Sequence, residues 1–390
     1  MPPILAAPSG RFSHPVTLFR MSTRPLEIGR LTVDPPVVLA PMAGVTNAPF
    51  RRLCRQFGAG IYVCEMIGAR SLVEGDEKTR LLATFPEDES PRSIQLYGTD
   101  AYYVGRAVEH LVAEGGADHI DLNFGCPAPK VTRNGGGAAL PFNRDLYREI
   151  VRAAVANAGD VPITVKFRKG IDDEHLTYLD TGRIARDEGV SAVGLHARTA
   201  EELYSGHADW GAITTLKDAL DIPVLGNGDI WEAADAVRMV NETGCDGVIV
   251  GRGCLGRPWL FGDLAKVFAG EEVVTIPDLG YVADTMETHG ALLVDWFGDY
   301  RGIRSFRKHT SWYLKGYPVG PEIRRRLSTV ESLDELATIT GTFERHSQPH
   351  DGASRMARGH THGPRPVRLP HLYLEGGWNH PVPELAVSGG

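Results

Sequence analysis

Residues 223–253, PVLGNGDIWEAADAVRMVNETGCDGVIVGRG, decide how this chain folds. They open on a short aliphatic run ending in Gly-Asn-Gly-Asp (226–229), pass through a helically spaced segment that stops at Gly244, and close on a second apolar run ending in Gly-Arg-Gly (251–253). Strand, helix and strand in this order make one βαβ unit, whose helical crossover returns the second strand parallel to the first. The chemically unusual residues fall just past each strand, where α/β folds place their ligands.

Working outward from this unit, the same pattern recurs along the chain. VVLAPMAG (37–44), IYVCEMIG (61–68), SIQLYG (93–98), HIDLNFGCP (119–127), ITVKFRKG (163–170) and AVGLHART (192–199) bring the strand-like runs to eight. Helical patterns such as 101–116 and 144–159 separate them, each closed by glycine. Eight βα units predict an α/β fold of the TIM (β/α)8 barrel type over 26–269. A doubly wound sheet fits less well, because no G-x-G-x-x-G turn follows the first strand. Beyond the barrel, 270–280 reads as a linker and 281–346 as a small all-helical domain. Residues 1–25, proline-rich and without a continuous apolar core of the signal-peptide kind, read as a disordered extension, with 1–20 lying upstream of a start at Met21. The segment 347–390, rich in His, Pro and Gly, reads as a disordered tail. Six of the fourteen histidines fall between His346 and His380, but their irregular spacing suits a solvated linker better than a metal site.

Composition excludes several classes. With 390 residues, 42% hydrophobic and 23% charged, the chain is of ordinary globular type, and no apolar run is long enough to cross a bilayer. Five cysteines without a C-x-x-C pair argue against a disulfide framework or zinc cluster and for a reducing cytoplasm. A net charge of -8 gives no overall pull toward nucleic acid, so such a partner requires a local patch. RGIRSFRKHTSWYLKGYPVGPEIRRR (301–326) is one, with eight Lys/Arg against one Glu and Phe306, Trp312, Tyr313 and Tyr317 among them. A solvated helix face accounts for the same charges, and a charge run alone favours that reading.

Met42, Gln95, Asn123, Cys126, Lys166, Arg168, His196, Asn227 and Arg252 stand at the expected strand ends. The glycines of GNGD and GRG, after strands seven and eight, let backbone N–H groups approach a phosphate. Lys166 and Arg168 would favour a ligand that develops negative charge, such as a reduced flavin, with the Gln95 amide at its ring edge. His196 is either a core histidine or a site residue. Cys54, Cys64, Cys245 and Cys254 read as inert buried thiols, whereas Cys126, leaving its strand in a Gly-Cys-Pro turn, reads as an acid or a nucleophile at the rim. The glycine run 135–137 either lets its loop pack beside that turn or is purely structural.

Taken together, APMAGVTNAPFR (40–51), NFGCP (123–127), GGGAAL (135–140), VKFRKG (165–170), HART (196–199), GNGDI (226–230) and GRG (251–253) resemble the bacterial FMN-dependent tRNA-dihydrouridine synthases. The resemblance runs from about Leu26 to Glu344 and includes RKHTSWYL (307–314). It implies FMN as cofactor, NADPH (or NADH) as reductant, tRNA as partner, no stable protein partner, no membrane and a cytoplasmic location. It also implies that Pro41, Met42 and Ala43 lie against the flavin and that Gln95 and Lys166 contact its ring. His196 and the stretch Asn227, Gly228, Asp229 fall on the cofactor side, with Gly251 and Arg252 as the phosphate grip. Cys126 becomes the catalytic acid, protonating carbon 5 of a uracil as hydride reaches carbon 6. Asn123, Arg168 and Tyr204 fall near the target base, and Arg304, Arg307, Lys308, Arg324 and Arg325 become tRNA contacts. The rival readings are an FMN-dependent dehydrogenase of a free pyrimidine, which leaves the helical domain unexplained, and a non-catalytic tRNA-binding factor.

Overall fold

A computed structural model describes residues 25–375 except 59, 272 and 274. The expected N-terminal extension therefore lies outside the described residues, apart from Pro25. Two short strands, β1 (Leu26–Ile28) and β2 (Leu31–Val33), pair antiparallel across a turn that needs Gly29 at φ +56°. Leu26, Ile28 and Val33 pack against Val38, Ile61, Ala192, Leu225 and Ile249, so this hairpin forms a floor beneath the larger sheet.

The remaining strands are β3 (Val37–Leu39), β4 (Ile61–Tyr62), β5 (Ile67–Gly68), β6 (Ser93–Tyr97), β7 (His119–Phe124), β8 (Ile163–Arg168), β9 (Ala192–His196), β10 (Val224–Asn227) and β11 (Gly247–Val250). All pair in parallel, in the order β4-β3-β11-β10-β9-β8-β7-β6-β5. β4 and β5 are two pieces of one expected strand: between them Val63 bridges Ser93 of β6, and the Cys64 N–H donates to the Ser93 carbonyl at 3.0 Å. That contact joins the two ends of the sheet, so the chain closes the TIM barrel that its eight repeats predict. Outward residues such as Val37, Leu39, Ile120, Leu122, Val165, Phe167, Val193 and Val248 pack against the surrounding helices in the main core.

After the barrel come four helices, Leu279–Phe297, Asp299–Tyr313, Pro321–Thr329 and Leu333–Thr340. Their starts are legible locally: Asp278 accepts from the Tyr281 N–H, Ser332 accepts from the Glu335 N–H, and Pro321 stands in the first turn. Val282, Met286, Leu293, Ile303, Phe306, Leu336 and Ile339 form their own core. The helices sit directly on the barrel. Phe50 contacts the rings of His289 and His309 at 5.5 and 5.8 Å, the Lys308 ammonium donates to the Gly44 carbonyl, and Gly256 lies against the backbone of Trp312 and Tyr313. A Cβ at Gly256 would lie 2.3 Å from the Trp312 carbonyl carbon, and its φ of +66° also favours glycine.

Residues 347–375 are not the disordered tail that composition predicts. Ser354 and Arg355 bond Glu232, and Arg355 also reaches Asp235; the His360 carbonyl accepts from Arg252 at 2.9 Å. The Arg365 N–H donates to the Glu201 carbonyl at 2.9 Å, and the Tyr373 hydroxyl to the Ala139 carbonyl at 3.1 Å. Val367, Leu369 and Leu374 pack on a small cluster of Ala139, Phe142, Ile171 and Tyr373. Periodicity fails to reveal this strap because its apolar pins are spaced by proline and glycine rather than by a helix or strand repeat, while its prolines lower the entropy lost on ordering. Residues 376–390 lie outside the described part. Among the described residues no helix is long and apolar enough to cross a membrane.

Candidate active site at the barrel mouth

Strand alternation delivers two different linings to the barrel interior. β3, β9, β10 and β11 contribute Val38, Ala192, Leu225 and Ile249 at depth, with His196 and Asn227 at the ends of β9 and β10. β6, β7 and β8 contribute Ser93 and Gln95, then His119, Asp121 and Asn123, then Thr164, Lys166 and Arg168, in parallel register with Gln95 beside Asp121 and Asn123 beside Lys166. These polar groups satisfy one another. His119 lies between Ser93 Oγ (2.7 Å) and Thr164 Oγ1 (2.9 Å), Thr164 donates to Asp121 (2.7 Å), Gln95 donates to Asp121 (2.6 Å), and Asn123 donates to Gln95 Oε1 (2.8 Å). Burial pushes Asp121 up to about 6, against the opposing bonds from Thr164 and Gln95 and the charge of Lys166. Burial also holds His119 down at about 4.

The chain of bonds ends at the cysteine turn. Asn123 Oδ1 accepts from the N–H groups of Gly125 (3.1 Å) and Cys126 (3.0 Å), and Arg168 Nε donates to the Gly125 carbonyl (3.0 Å). From the other side the Ala138 N–H donates to the Cys126 carbonyl at 3.0 Å. Gly137, at φ +56°, makes that approach possible: a Cβ there would lie 2.5 Å from the same carbonyl oxygen. The glycine run therefore does pack its loop beside the cysteine. Burial raises the Cys126 thiol above its ordinary range, outweighing the Ala128 N–H and the cations Arg168 and Lys130. A thiol raised in this way stays protonated at neutral pH, which suits a proton donor rather than a thiolate nucleophile.

Beyond Arg168 and Tyr204, an open cavity of about 100 Å³ is lined by Pro41, Met42, Lys166, His196, Tyr204, Asn227, Gly228, Asp229, Gly251 and Arg252, with Ala40, Ile230, Trp231, Ile249 and Gly253 completing it. Lys166 Nζ donates to Asn227 Oδ1 at 2.9 Å, and burial followed by the Arg168 charge lowers it to about 8, with Asp121 opposing. Gly194 across from it makes room for Ile249, whose Cδ1 lies 2.5 Å from where a Cβ would stand, with the lysine stem in ordinary contact at 3.6 Å. Arg252 lies 4.4 Å from the Tyr204 ring centroid and 5.2 Å from that of Trp231, and burial lowers it to about 10. His196 is buried, and burial together with Arg168 and Lys166 pushes it well below its usual range, so its imidazole is neutral.

Three features fit a phosphate-bearing anionic ligand. Gly251 meets only the Ala40 Cβ, at 3.6 Å, where its own Cβ would stand, so protein packing does not demand glycine and the space belongs to the cavity. Lys166, Arg198 and Arg252 outnumber the single carboxylate Asp229 at this end. Arg198 Nη1, buried and 3.8 Å from the Cβ position of Gly228, has no hydrogen-bond partner among the described residues. Among those residues no group of three metal-ligating side chains occurs.

Not every expected residue meets the cavity. Ala43, Gln95, Asn123, Cys126 and Arg168 lie outside its lining, and both ends of the Gln95 amide are engaged within the barrel. Arg168 joins the two sectors: besides Gly125 it donates to the carbonyls of Thr199 (2.7 Å) and Leu203 (2.8 Å) and sits 5.3 Å from the Tyr204 ring centroid. Half of the eight cations in the basic helical segment are committed to structure. Arg324 donates to the carbonyls of Val319, Leu314 and Tyr317, Arg307 to Val330, Lys308 to Gly44, and Arg325 pairs with Glu322. Arg304 lies over the exposed Tyr300 ring at 4.0 Å. Of the aromatics interleaved with these charges, Phe306, Tyr313 and Tyr317 are buried. Asp121, His119, Thr164 and Arg198 are not singled out by sequence, although the alternation of polar residues in HIDLNF and ITVKFR is a visible sign of a polar interior.

The family described as dihydrouridine synthase (Dus) matches residues 38–347. The chain is 52% identical over 375 residues to a "Probable tRNA-dihydrouridine synthase" of Mycobacterium tuberculosis, covering 94% of this chain and 96% of that protein. It is 38% identical over 318 residues to "tRNA-dihydrouridine synthase B" of Xanthomonas axonopodis pv. citri, covering 82% and 95%. Among solved structures, the 6-hydroxypseudooxynicotine amine oxidase of Pseudomonas geniculata aligns with TM-score 0.51 at 13% identity, over 82% of this chain and 65% of that one, a likeness of fold alone.

Proposed function

The chain belongs to the dihydrouridine synthase family, and from that premise we propose that it reduces the C5–C6 double bond of uridines in tRNA, with FMN bound at the barrel mouth and NADPH (or NADH) as reductant. A flavin held there supplies the hydride that reaches carbon 6 of the base. Gly251, Arg252 and the unpaired Arg198 nitrogen would hold its phosphate, and Pro41, Met42 and Lys166, which line the same cavity, would face its ring. A cation at Lys166 favours negative charge on the bound ring system.

The observation that carries the proposal is the Cys126 thiol, kept protonated by burial in a turn fixed by Asn123, Arg168 and the Ala138 N–H. As hydride arrives at carbon 6, carbon 5 becomes enolate-like. The S–H bond then breaks, the proton passes to carbon 5, and the thiolate left on Cys126 regains a proton from solvent. Arg168 and Lys130 lower the cost of that transient charge. The target base must leave its stack to reach this depth, which calls for a folded but locally deformable RNA. Five free thiols suit a cytoplasmic setting.

The test is twofold. Purified protein should be yellow and, with NADPH, should form dihydrouridine in unmodified tRNA transcripts, scored by mass spectrometry of nucleosides. Colourless protein that takes up no FMN, or tRNA left unreduced by flavin-loaded enzyme, overturns the reading.

A further inference from the structure

The family match ends at residue 347, and the strap beyond it clasps the rim of the proposed active site. Its course can be traced by contacts. The His360 carbonyl accepts from Arg252, the His362 carbonyl from the Tyr204 N–H (3.4 Å), and the Arg365 N–H donates to Glu201, which sets the strap against the loop carrying Tyr204. Farther on, Val367 and Leu369 turn inward toward Ala139 and Phe142, and the neighbouring Ala138 is the residue that bonds the Cys126 carbonyl. The strap therefore runs along the mouth from the Arg252 side to the cysteine side, while the helical domain contacts the barrel elsewhere, at Gly44, Phe50 and Gly256.

Charge on the strap is one-sided. From 347 to 375 it contains four arginines against two carboxylates, Asp351 and Glu375, which stand outside the stretch 352–374 that crosses the mouth. Arg355 and Arg358 are committed to Glu232, Asp235 and local carbonyls. Arg365 and Arg368 are exposed, and their side chains have no ion pair or hydrogen bond among the described residues. Arg368 points to solvent between the inward Val367 and Leu369. The rim loop that follows Ile171, a member of the cluster on which Val367 and Leu369 pack, is acidic, with Asp172, Asp173 and Glu174 beside His175, whose ring lies 5.7 Å from Phe142. A bare acidic lip would repel a polyanion, and the strap brings two uncommitted cations to the same rim.

We propose that the strap is an RNA-contacting wall of the mouth, set apart from the helical domain, with Arg365 and Arg368 neutralising backbone phosphates of the tRNA whose uridine enters the barrel. The proposal rests on the tRNA reading above. Two phosphate contacts correspond to a change of about 1.5 in the slope of log affinity against log salt.

Binding of unmodified tRNA transcripts to the full chain, followed by fluorescence anisotropy across a salt series, tests it. The double variant R365A/R368A should bind severalfold more weakly at low salt, with a slope shallower by about 1.5 and an unchanged unfolding midpoint. R365K/R368K should restore the slope, because phosphate neutralisation needs charge rather than a guanidinium fork. If the alanine variant keeps the parent's affinity and slope, or the lysine variant loses as much as the alanine one, the strap is a structural clasp and the proposal falls. A parent protein that binds no tRNA removes the functional reading as well, which separates the two failures.

Discussion

Deep in the barrel the inward positions of β3, β9, β10 and β11 are Val38, Ala192, Leu225 and Ile249, and this side turns polar only at the mouth, with His196 and Asn227; on β6, β7 and β8 the inward positions are polar throughout, as Ser93, Gln95, His119, Asp121, Asn123, Thr164, Lys166 and Arg168. The first group stabilises by leaving water and is indifferent to direction. The second gains little net energy, since its bonds replace bonds to water, but each bond is directional and costly to break once buried. Stability and position are thereby assigned to different sides of one barrel. The polar side ends at Asn123, so the thiol of Cys126 inherits its location from a chain of bonds that begins at Ser93.

That contrast breaks if substitutions on the two sides have the same consequences. Cys126→Ala should slow single-turnover reduction of tRNA about 10²- to 10⁴-fold while leaving bound flavin absorbance, tRNA affinity and the unfolding midpoint near those of the parent. Undiminished turnover would remove Cys126 as the acid. Leu225→Ala, on the apolar side, should behave in the opposite way, costing about 2–5 kcal/mol in urea unfolding with turnover per folded molecule largely retained. Asp121→Asn tests the coupling between bonds and position. The new amide can no longer accept from both Gln95 and Thr164, so about 1–3 kcal/mol should be lost, and turnover should fall further than that destabilisation explains. A variant that loses stability alone would show that the polar side does not position the thiol.

The smallest effect concerns pH. His119 is neutral in the folded barrel down to about 4, against 6.5 for an unperturbed imidazole, so the unfolded chain takes up its proton first. Its contribution to stability is complete above about pH 6.5 and is lost as pH falls toward 4. His289, held down to about 3 by burial and by Lys308, acts in the same sense at the helical contact. Asp121 opposes both: raised to about 6 from 3.8, it protonates first in the folded state and adds stability as pH falls through that window. His196 and His309, also pushed well below their usual range by burial, act with the imidazoles, and Asp263, raised by burial, acts with Asp121. The unfolding midpoint should therefore drop between about pH 7 and 4.5, the imidazoles outweighing the carboxyls, and His119→Gln should flatten that drop. An equally steep profile in the variant would place the acid sensitivity elsewhere.

Much of this architecture is legible in the sequence, for identifiable reasons. Eight glycine-closed βα repeats give the barrel, because periodicity and turn residues are local properties. Asn227, Gly251 and Arg252 line the cavity as expected because a barrel has one catalytic face and strand ends can be counted toward it. The polar chain through Asp121 is harder to see, since its logic is a pairing of residues 26 and 43 positions apart. Arg324 and Lys308 resemble RNA ligands because sequence reports charge and not whether a carbonyl already faces it. The strap escapes notice for a related reason: Tyr373 and Leu369 have no neighbours in sequence that announce a partner at Ala139.

Gly256 has a consequence for how a uridine is chosen. Its α-carbon lies against the main chain of Trp312 and Tyr313, with no side chain between to act as a cushion or hinge. The helices and the barrel therefore meet as a caliper of set gap. In the proposed reaction the compliance must come from the nucleic acid, and the selected nucleotide is the one whose offset from the RNA's own gripping points equals the reach from that helical platform to the thiol.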